Sequence, residues 1–398
     1  MTRKRKLREM KKSGKVKKSK TFKIVIFSIV GITALYTLLP DYLQKGMIYL
    51  TPDIDDYKIF DNREVKTGTP RPWPLTFDYN RYSIPAESVR DSMENLKTTG
   101  FLIIQNDSVL FEQYQGGHDS STISNSFSMA KSIVSLLIGC AIDDGYIGSV
   151  DDKVSKYLPW LRGTHSDQLT IRHLLTMSSA SNWDEHYSSP FSITTRAYYG
   201  RDLPGTMKRV KIVNHPGIMF NYKSGDTQFL ERILSATTEM SLAEYASKKL
   251  WQPLGAEVPA LWSLDKRKGT EKAYCCFNST PRDFARIGSL VLNRGRFHGE
   301  KIISDQYIRE MTTPARYLTN EDAQMVEYYG MHWWVMNYEG ENIPYARGIL
   351  GQYIFVIPSH NAVIVRLGHQ RSNEYINHHP RDAYTWVRAG LDILTQRP

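Results

Sequence analysis

Residues Asn125 to Gly145, NSFSMAKSIVSLLIGCAIDDG, constrain the fold more than any other stretch of this chain. From Phe127 onward the apolar residues Phe127, Ile133, Val134, Leu136, Leu137, Cys140 and Ile142 recur at helical spacing. Asp143, Asp144 and Gly145 then give a stop and a turn. The helix is nearly all apolar, as expected for one at the centre of a domain. Ser128 and Lys131 fall in its first turn, three residues apart and therefore on one face. A hydroxyl beside an amine at a helix N-terminus suits nucleophilic chemistry. Serine needs a neighbouring base to take its proton. Lysine serves as that base where burial or nearby cations lower its pKa. The unpaired N–H groups of the first turn favour an oxyanion. The competing reading is an ordinary N-cap beside a solvated lysine. Ser-x-x-Lys also recurs as Ser263-Leu-Asp-Lys266, but that copy opens into a charged loop with no apolar helix behind it.

Charge separates the chain into unequal parts. Residues 1–23 carry twelve Lys/Arg and one Glu, whereas the remaining 375 residues carry 39 basic and 40 acidic side chains. The net charge of +10 therefore belongs to a tail, and nucleic-acid binding by the folded part is not expected. Directly after the tail, Ile24 to Pro40 is 17 residues without a charge. As a helix it spans about 25 Å, short but adequate for a bilayer core with snorkelling flanks. The Lys/Arg cluster in front of it predicts a single-pass anchor with the tail in the cytoplasm and the remainder across the membrane. A cleaved signal peptide is the alternative, but the segment is long for one and no small-x-small pattern follows. Residues 41–84 are polar and proline-bearing, reading as a lead-in to a domain over 85–398. At that length the chain buries a large core.

Phe101-Leu-Ile-Ile and Val109 to Tyr114 flank Asn106-Asp107, a hairpin signal, and Ala86 to Lys97 has an amphipathic helical pattern. Residues 150–315 read as mostly helical, with an aromatic loop at 182–203. Strand patterns return near Tyr329 to Met336, Tyr353 to Pro358 and Ala362 to Leu367, before a C-terminal helix over Arg381 to Thr395. Strands at both ends with helices between them predict an α+β sandwich: an antiparallel sheet flanked by helices, an inserted all-helical sub-domain over about 150–315, and a cleft at their junction. Of the three cysteines, Cys140 sits mid-helix while Cys275 and Cys276 are adjacent, which makes no disulfide framework. Buried free thiols are expected, with a vicinal or an intermolecular bridge as the alternatives. No Cys/His spacing suggests zinc, and His-Glu-x-x-His is absent.

From about residue 85 the chain resembles the serine β-lactamase and penicillin-binding-protein fold, in its class C-type branch with carboxylesterases and 6-aminohexanoate-dimer hydrolases. Ser128-Met-Ala-Lys131 matches that family's nucleophile motif. Leu169 to Ala180 is similar to the segment that follows it, and Cys275-Cys276-Phe-Asn-Ser-Thr-Pro-Arg-Asp-Phe-Ala-Arg-Ile-Gly resembles the nylon-oligomer-hydrolase branch in particular. The family's Tyr-x-Asn motif has its counterpart in Tyr222-Lys-Ser224, which implies Tyr222 as partner base and puts Ser224 where the family has Asn. The Lys-Thr-Gly motif corresponds to Ala346-Arg347-Gly348. This implies an oxyanion hole from the N–H groups of Ser128 and Ile349, with close substrate approach at Gly348. Arg347 is a candidate cation for substrate, although a solvent-facing strand arginine fits equally. The missing motif lysine argues against efficient β-lactam hydrolysis. Asp184 and Glu185, on the loop bordering the cleft in the resembling enzymes, are candidates to hold a substrate ammonium group. The resemblance implies a serine hydrolase cleaving a small amide, ester or short peptide without metal or cofactor, and the basic tail and apolar segment put it on a bacterial inner membrane with its domain periplasmic. The alternative is a D-alanyl peptidase or a non-catalytic cell-wall peptide or β-lactam binding protein. A Gly-x-Ser-x-Gly elbow of the α/β-hydrolase kind is absent.

Overall fold

The computed structural model describes residues 3–84, 86–187 and 189–396; Pro85, where the domain is expected to begin, lies outside them. The chain divides into two compact units, Met1–Thr51 and Pro52–Pro398. In the first, one helix runs over Arg3–Leu38, carrying the basic tail and the apolar segment together. Its Lys20–Leu38 stretch of 19 residues is long and apolar enough to cross a membrane. A short helix, Asp41–Tyr49, follows.

The second unit is built on a six-stranded antiparallel sheet. In spatial order its strands are Ser108–Tyr114, Thr98–Gln105, Ala362–Gly368, Gln352–Ile357, Glu341–Gly348 and Trp334–Tyr338. Both faces are covered, which is why the central strands read as unbroken apolar runs. On one face the row Ile103, Ile364, Phe355, Tyr345, Trp334 crosses five strands in register. The helices Glu87–Asn95 and Arg381–Leu394 pack over that face, through Val89, Met93, Trp386 and Ile393. The helices Pro281–Leu292 and Met129–Asp143 take the other face. Two glycines let the layers close. A Cβ on Gly288 would lie 2.5 Å from Val363 Cγ1, and one on Gly390 would lie 2.2 Å from Ile364 Cδ1. The helix Met129–Asp143 sits at the centre as its composition demands, every residue from Met129 to Ala141 buried. Its inward hydroxyls are satisfied: Ser132 Oγ donates to the His332 carbonyl at 2.7 Å and Ser135 Oγ to the Met331 carbonyl at 2.8 Å.

Two expectations need correction. The stretch 150–315 is not all helical. Alongside helices such as Ile193–Tyr199 and Ser224–Thr238 it contributes the strands Ala260–Ser263 and Phe277–Ser279 to a second, four-stranded sheet. That sheet is completed by Asn62–Val65 and Ser124–Asn125. Residues 52–84 are accordingly no loose lead-in, for Ile54, Val65 and Trp73 are buried in the body. Strands of two to four residues are too short to show a period-two pattern, so pairing with distant segments, not local propensity, creates them.

Candidate active site

The small sheet sets the nucleophile motif in place. Ser124 and Asn125 pair with Ser279 and Asn278, and the Ser126 N–H donates to the Phe277 carbonyl at 2.8 Å. Phe127 then turns the chain into the helix with φ of 44°, its N–H held by Asn125 Oδ1 at 2.9 Å. A left-handed aromatic residue is costly, and such strain persists only where the surroundings fix it. Ser128 occupies the N-cap position but its side chain makes no capping bond. Its Oγ instead accepts from Lys131 Nζ at 2.9 Å.

Lys131 is 1% exposed, so the reading of a solvated lysine falls. Its ammonium donates a second bond to the Tyr274 carbonyl at 2.8 Å. The rings of Tyr222 and Tyr274 lie 5.0 and 5.8 Å from it. Its hydrogen-bond partners are thus a hydroxyl and a carbonyl, neither of them charged. Behind it His332 is held neutral, its pKa pushed down to about 3 by burial and by the Lys131 charge. The His332 Nδ1 lies 2.8 Å from the Leu175 carbonyl and so carries the proton, which leaves Nε2 to accept from Thr227 Oγ1 at 2.9 Å.

Tyr222 is half-buried just before the helix Ser224–Thr238, stacked on Trp334 at 5.7 Å and edge-on to Tyr329 at 6.1 Å. Ser224, at the first turn of that helix, gives its N–H and hydroxyl to the Glu185 carboxylate at 2.7 and 2.6 Å. Tyr187 also donates to Glu185. Glu185 therefore satisfies a helix N-terminus from across the loop. Asp184 accepts from the His186 N–H at 3.0 Å and from its ring. Asp226, in the first turn of the same helix, accepts from Ser179 Oγ at 2.5 Å, and burial raises its pKa to about 7.

Gly348 closes the site from the sheet side. A Cβ there would fall 2.3 Å from the Ser126 carbonyl oxygen and 3.2 Å from Phe127 Cβ, so glycine alone lets this strand end press against the chain before Ser128. Ile349 follows it directly. Arg347 does not simply face solvent. Its guanidinium lies 3.2 Å over the Trp334 ring and donates to the His378 carbonyl at 3.1 Å. Trp334 thus carries both Arg347 and Tyr222.

The fold brings Ser128, Lys131 and Tyr222 together, with Gly348 against the turn before Ser128 and Arg347 sharing Trp334 with Tyr222. Asp184 and Glu185 it engages in bonds within the protein. Two participants were not foreseen: the Tyr274 carbonyl, since a backbone acceptor carries no residue-type signal, and Trp334, which only sheet register places. The expected free thiols at 275 and 276 are also corrected: Cys275 and Cys276 form a vicinal disulfide, while Cys140 is free and buried. Cys276 takes φ of 67°, the departure that lets adjacent residues bridge. Among the described residues no group of three or more His, Cys, Asp and Glu is arranged to hold a metal ion.

Comparison with known proteins agrees with this architecture. The chain is 27% identical over 290 residues to the 6-aminohexanoate-dimer hydrolase of Paenarthrobacter ureafaciens, covering 69% of this chain and 73% of the relative. A solved Bacillus anthracis structure named for 6-aminohexanoate-dimer hydrolase superposes with a TM-score of 0.70 at 20% identity, covering 90% of this chain and 96% of that one. A family VIII carboxylesterase superposes with a TM-score of 0.61 at 15% identity, over 80% of this chain and 98% of that one. The Beta-lactamase family model matches residues 86–383, and the chain belongs to that family of hydrolases.

Proposed function

We propose that this protein is a membrane-anchored serine hydrolase that cleaves a small amide or ester through an acyl-enzyme on Ser128. The observation that carries this reading is the buried Lys131 Nζ, 2.9 Å from Ser128 Oγ and 5.0 Å from the Tyr222 ring. Lys131 and Tyr222 move the Ser128 proton as Oγ attacks the carbonyl, and return it to the departing amine or alcohol. The N–H groups of Ser128 and Ile349 receive the oxyanion. Water then attacks the acyl carbonyl and frees Ser128. Arg347 and Gly348 face the bound substrate, whereas Ser224 is buried and bonded to Glu185, and the helical segment Lys20–Leu38 holds the enzyme at the membrane with its basic tail on the cytoplasmic side.

A hydrolysis panel on the full chain in detergent tests the proposal, using short-chain p-nitrophenyl esters, nitrocefin, a D-Ala-D-Ala peptide and a 6-aminohexanoate dimer. Turnover of an ester or linear amide with little nitrocefin cleavage is expected, falling by roughly 10³-fold or more in Ser128→Ala. A long-lived penicillin adduct without turnover of any substrate would instead mark a cell-wall peptide binding protein.

A further inference from the structure

The vicinal bridge lies next to a main-chain carbonyl that accepts from Lys131 Nζ. Tyr274, whose carbonyl accepts from Nζ at 2.8 Å, is followed directly by Cys275 and Cys276. The neighbourhood fixes this short segment on both sides of the bridge. Trp262 Nε1 donates to the Cys275 carbonyl at 3.2 Å, and the Cys275 N–H donates to the Lys272 carbonyl at 3.1 Å. The Cys276 carbonyl accepts from the Ser263 N–H at 2.9 Å and from Asn278 Nδ2 at 2.9 Å. Within that frame Cys276 holds a left-handed φ of 67°, unfavourable for an L-residue. The ring closed by the bridge ties the torsions of both cysteines together. Opened, the bridge no longer couples those torsions, and only the hydrogen bonds at the Cys275 N–H and at the two cysteine carbonyls hold the peptide that carries the Tyr274 carbonyl.

We infer that the Cys275–Cys276 bridge is a positioning element for Lys131, so that a thiol reductant lowers hydrolysis by loosening the lysine from its carbonyl anchor. The inference rests on the reading of Ser128 and Lys131 as the reacting pair. The chemistry balances with a dithiol: its two thiolates pass two electrons to the bridge, two protons complete the Cys275 and Cys276 thiols, and the dithiol closes to its own cyclic disulfide. Cys275 is 5% exposed and Cys276 fully buried, so reduction proceeds slowly and with local opening. Cys140 lies in the central helix, away from this segment, and takes no part.

The test uses the full chain in detergent, oxidised or treated with dithiothreitol, with intact mass reporting two hydrogens gained. Reduction is expected to lower kcat by roughly 10- to 100-fold with KM nearly unchanged, and to displace the pH profile of kcat. Reoxidation restores both. Cys275→Ala/Cys276→Ala should start at the reduced level and ignore the dithiol, whereas Cys140→Ala should respond like wild type. Full activity and an unmoved pH profile in mass-verified reduced protein would overturn the inference. So would absence of any mass gain, or a loss of activity that merely tracks loss of the near-UV circular dichroism of the folded state. Ser128→Ala in the oxidised protein separates the two claims. If that variant stays active the catalytic reading fails, whereas if it is dead and reduction does nothing only the bridge's role fails.

Discussion

A lysine buried to 1% exposure beside a serine hydroxyl, a carbonyl and two aromatic rings is the residue on which the proposed chemistry rests. Its replacement by Ala should lower kcat for ester hydrolysis by roughly 10³-fold while leaving the fold intact, as read by circular dichroism. Tyr222→Phe keeps the stack on Trp334 and removes the phenol alone, so a large loss of kcat at unchanged melting temperature is expected. A second buried group reports on stability. Burial raises the pKa of Glu231 from its ordinary 4.5 to about 7, while Gln228 and Ser235 donate to its carboxyl. The folded protein therefore keeps this proton in a range where the unfolded chain has released it. Stability is lost as pH rises from near 4.5 through 7. Glu231→Gln should remove that slope, so its unfolding free energy, read by denaturant melts across the window, gains on wild type by an amount on the order of 3 kcal/mol. Ser128 and Lys131 were legible because their spacing on an apolar helix is a local signal. The engagement of Glu185 by Ser224 and Tyr187 was not, because a carboxylate on a loop reads alike whether it awaits a ligand or caps a distant helix.

At the scale of elements, the strand Glu341–Gly348 and the turn before Ser128 are held in contact by one missing side chain. Gly348→Ala places a methyl 2.3 Å from the Ser126 carbonyl oxygen. The expected cost is about 1–3 kcal/mol of stability with a larger fractional loss of kcat, measured by thermal melts and ester kinetics on the same preparation. A loss of stability with unchanged kcat would show that this strand end does not shape the site. The long strands were legible for a physical reason: covered on both faces, they are apolar throughout. The hairpin around Asn106-Asp107 and the C-terminal helix carry equally local signals. The four-stranded sheet escaped notice because its strands run for two to four residues and pair across as many as 201 positions, as Asn62 does with Ser263. Strands that short are specified by the site they surround, since Ser124–Asn125 leads straight into the Ser128 turn.

For the whole molecule, the charge excess lies wholly within the smaller of the two units that the contacts define. The basic, apolar helix belongs to the unit Met1–Thr51, and the near-neutral body to Pro52–Pro398. A protein starting at Pro52 should fold, remain in aqueous buffer without detergent and retain wild-type kcat, while the full chain partitions into detergent micelles. Failure of the shortened protein to fold would show that the first unit supports the second. The family and its architecture were foreseeable from several motifs in order, because catalytic geometry restricts residue types where packing does not. The account stands most directly on the site of covalent attachment. Treatment of the full chain with a fluorophosphonate, followed by proteolysis and mass mapping, should place the adduct on the peptide containing Ser128 and leave Ser128→Ala unlabelled. An adduct on another serine, or undiminished labelling of Ser128→Ala, would contradict it.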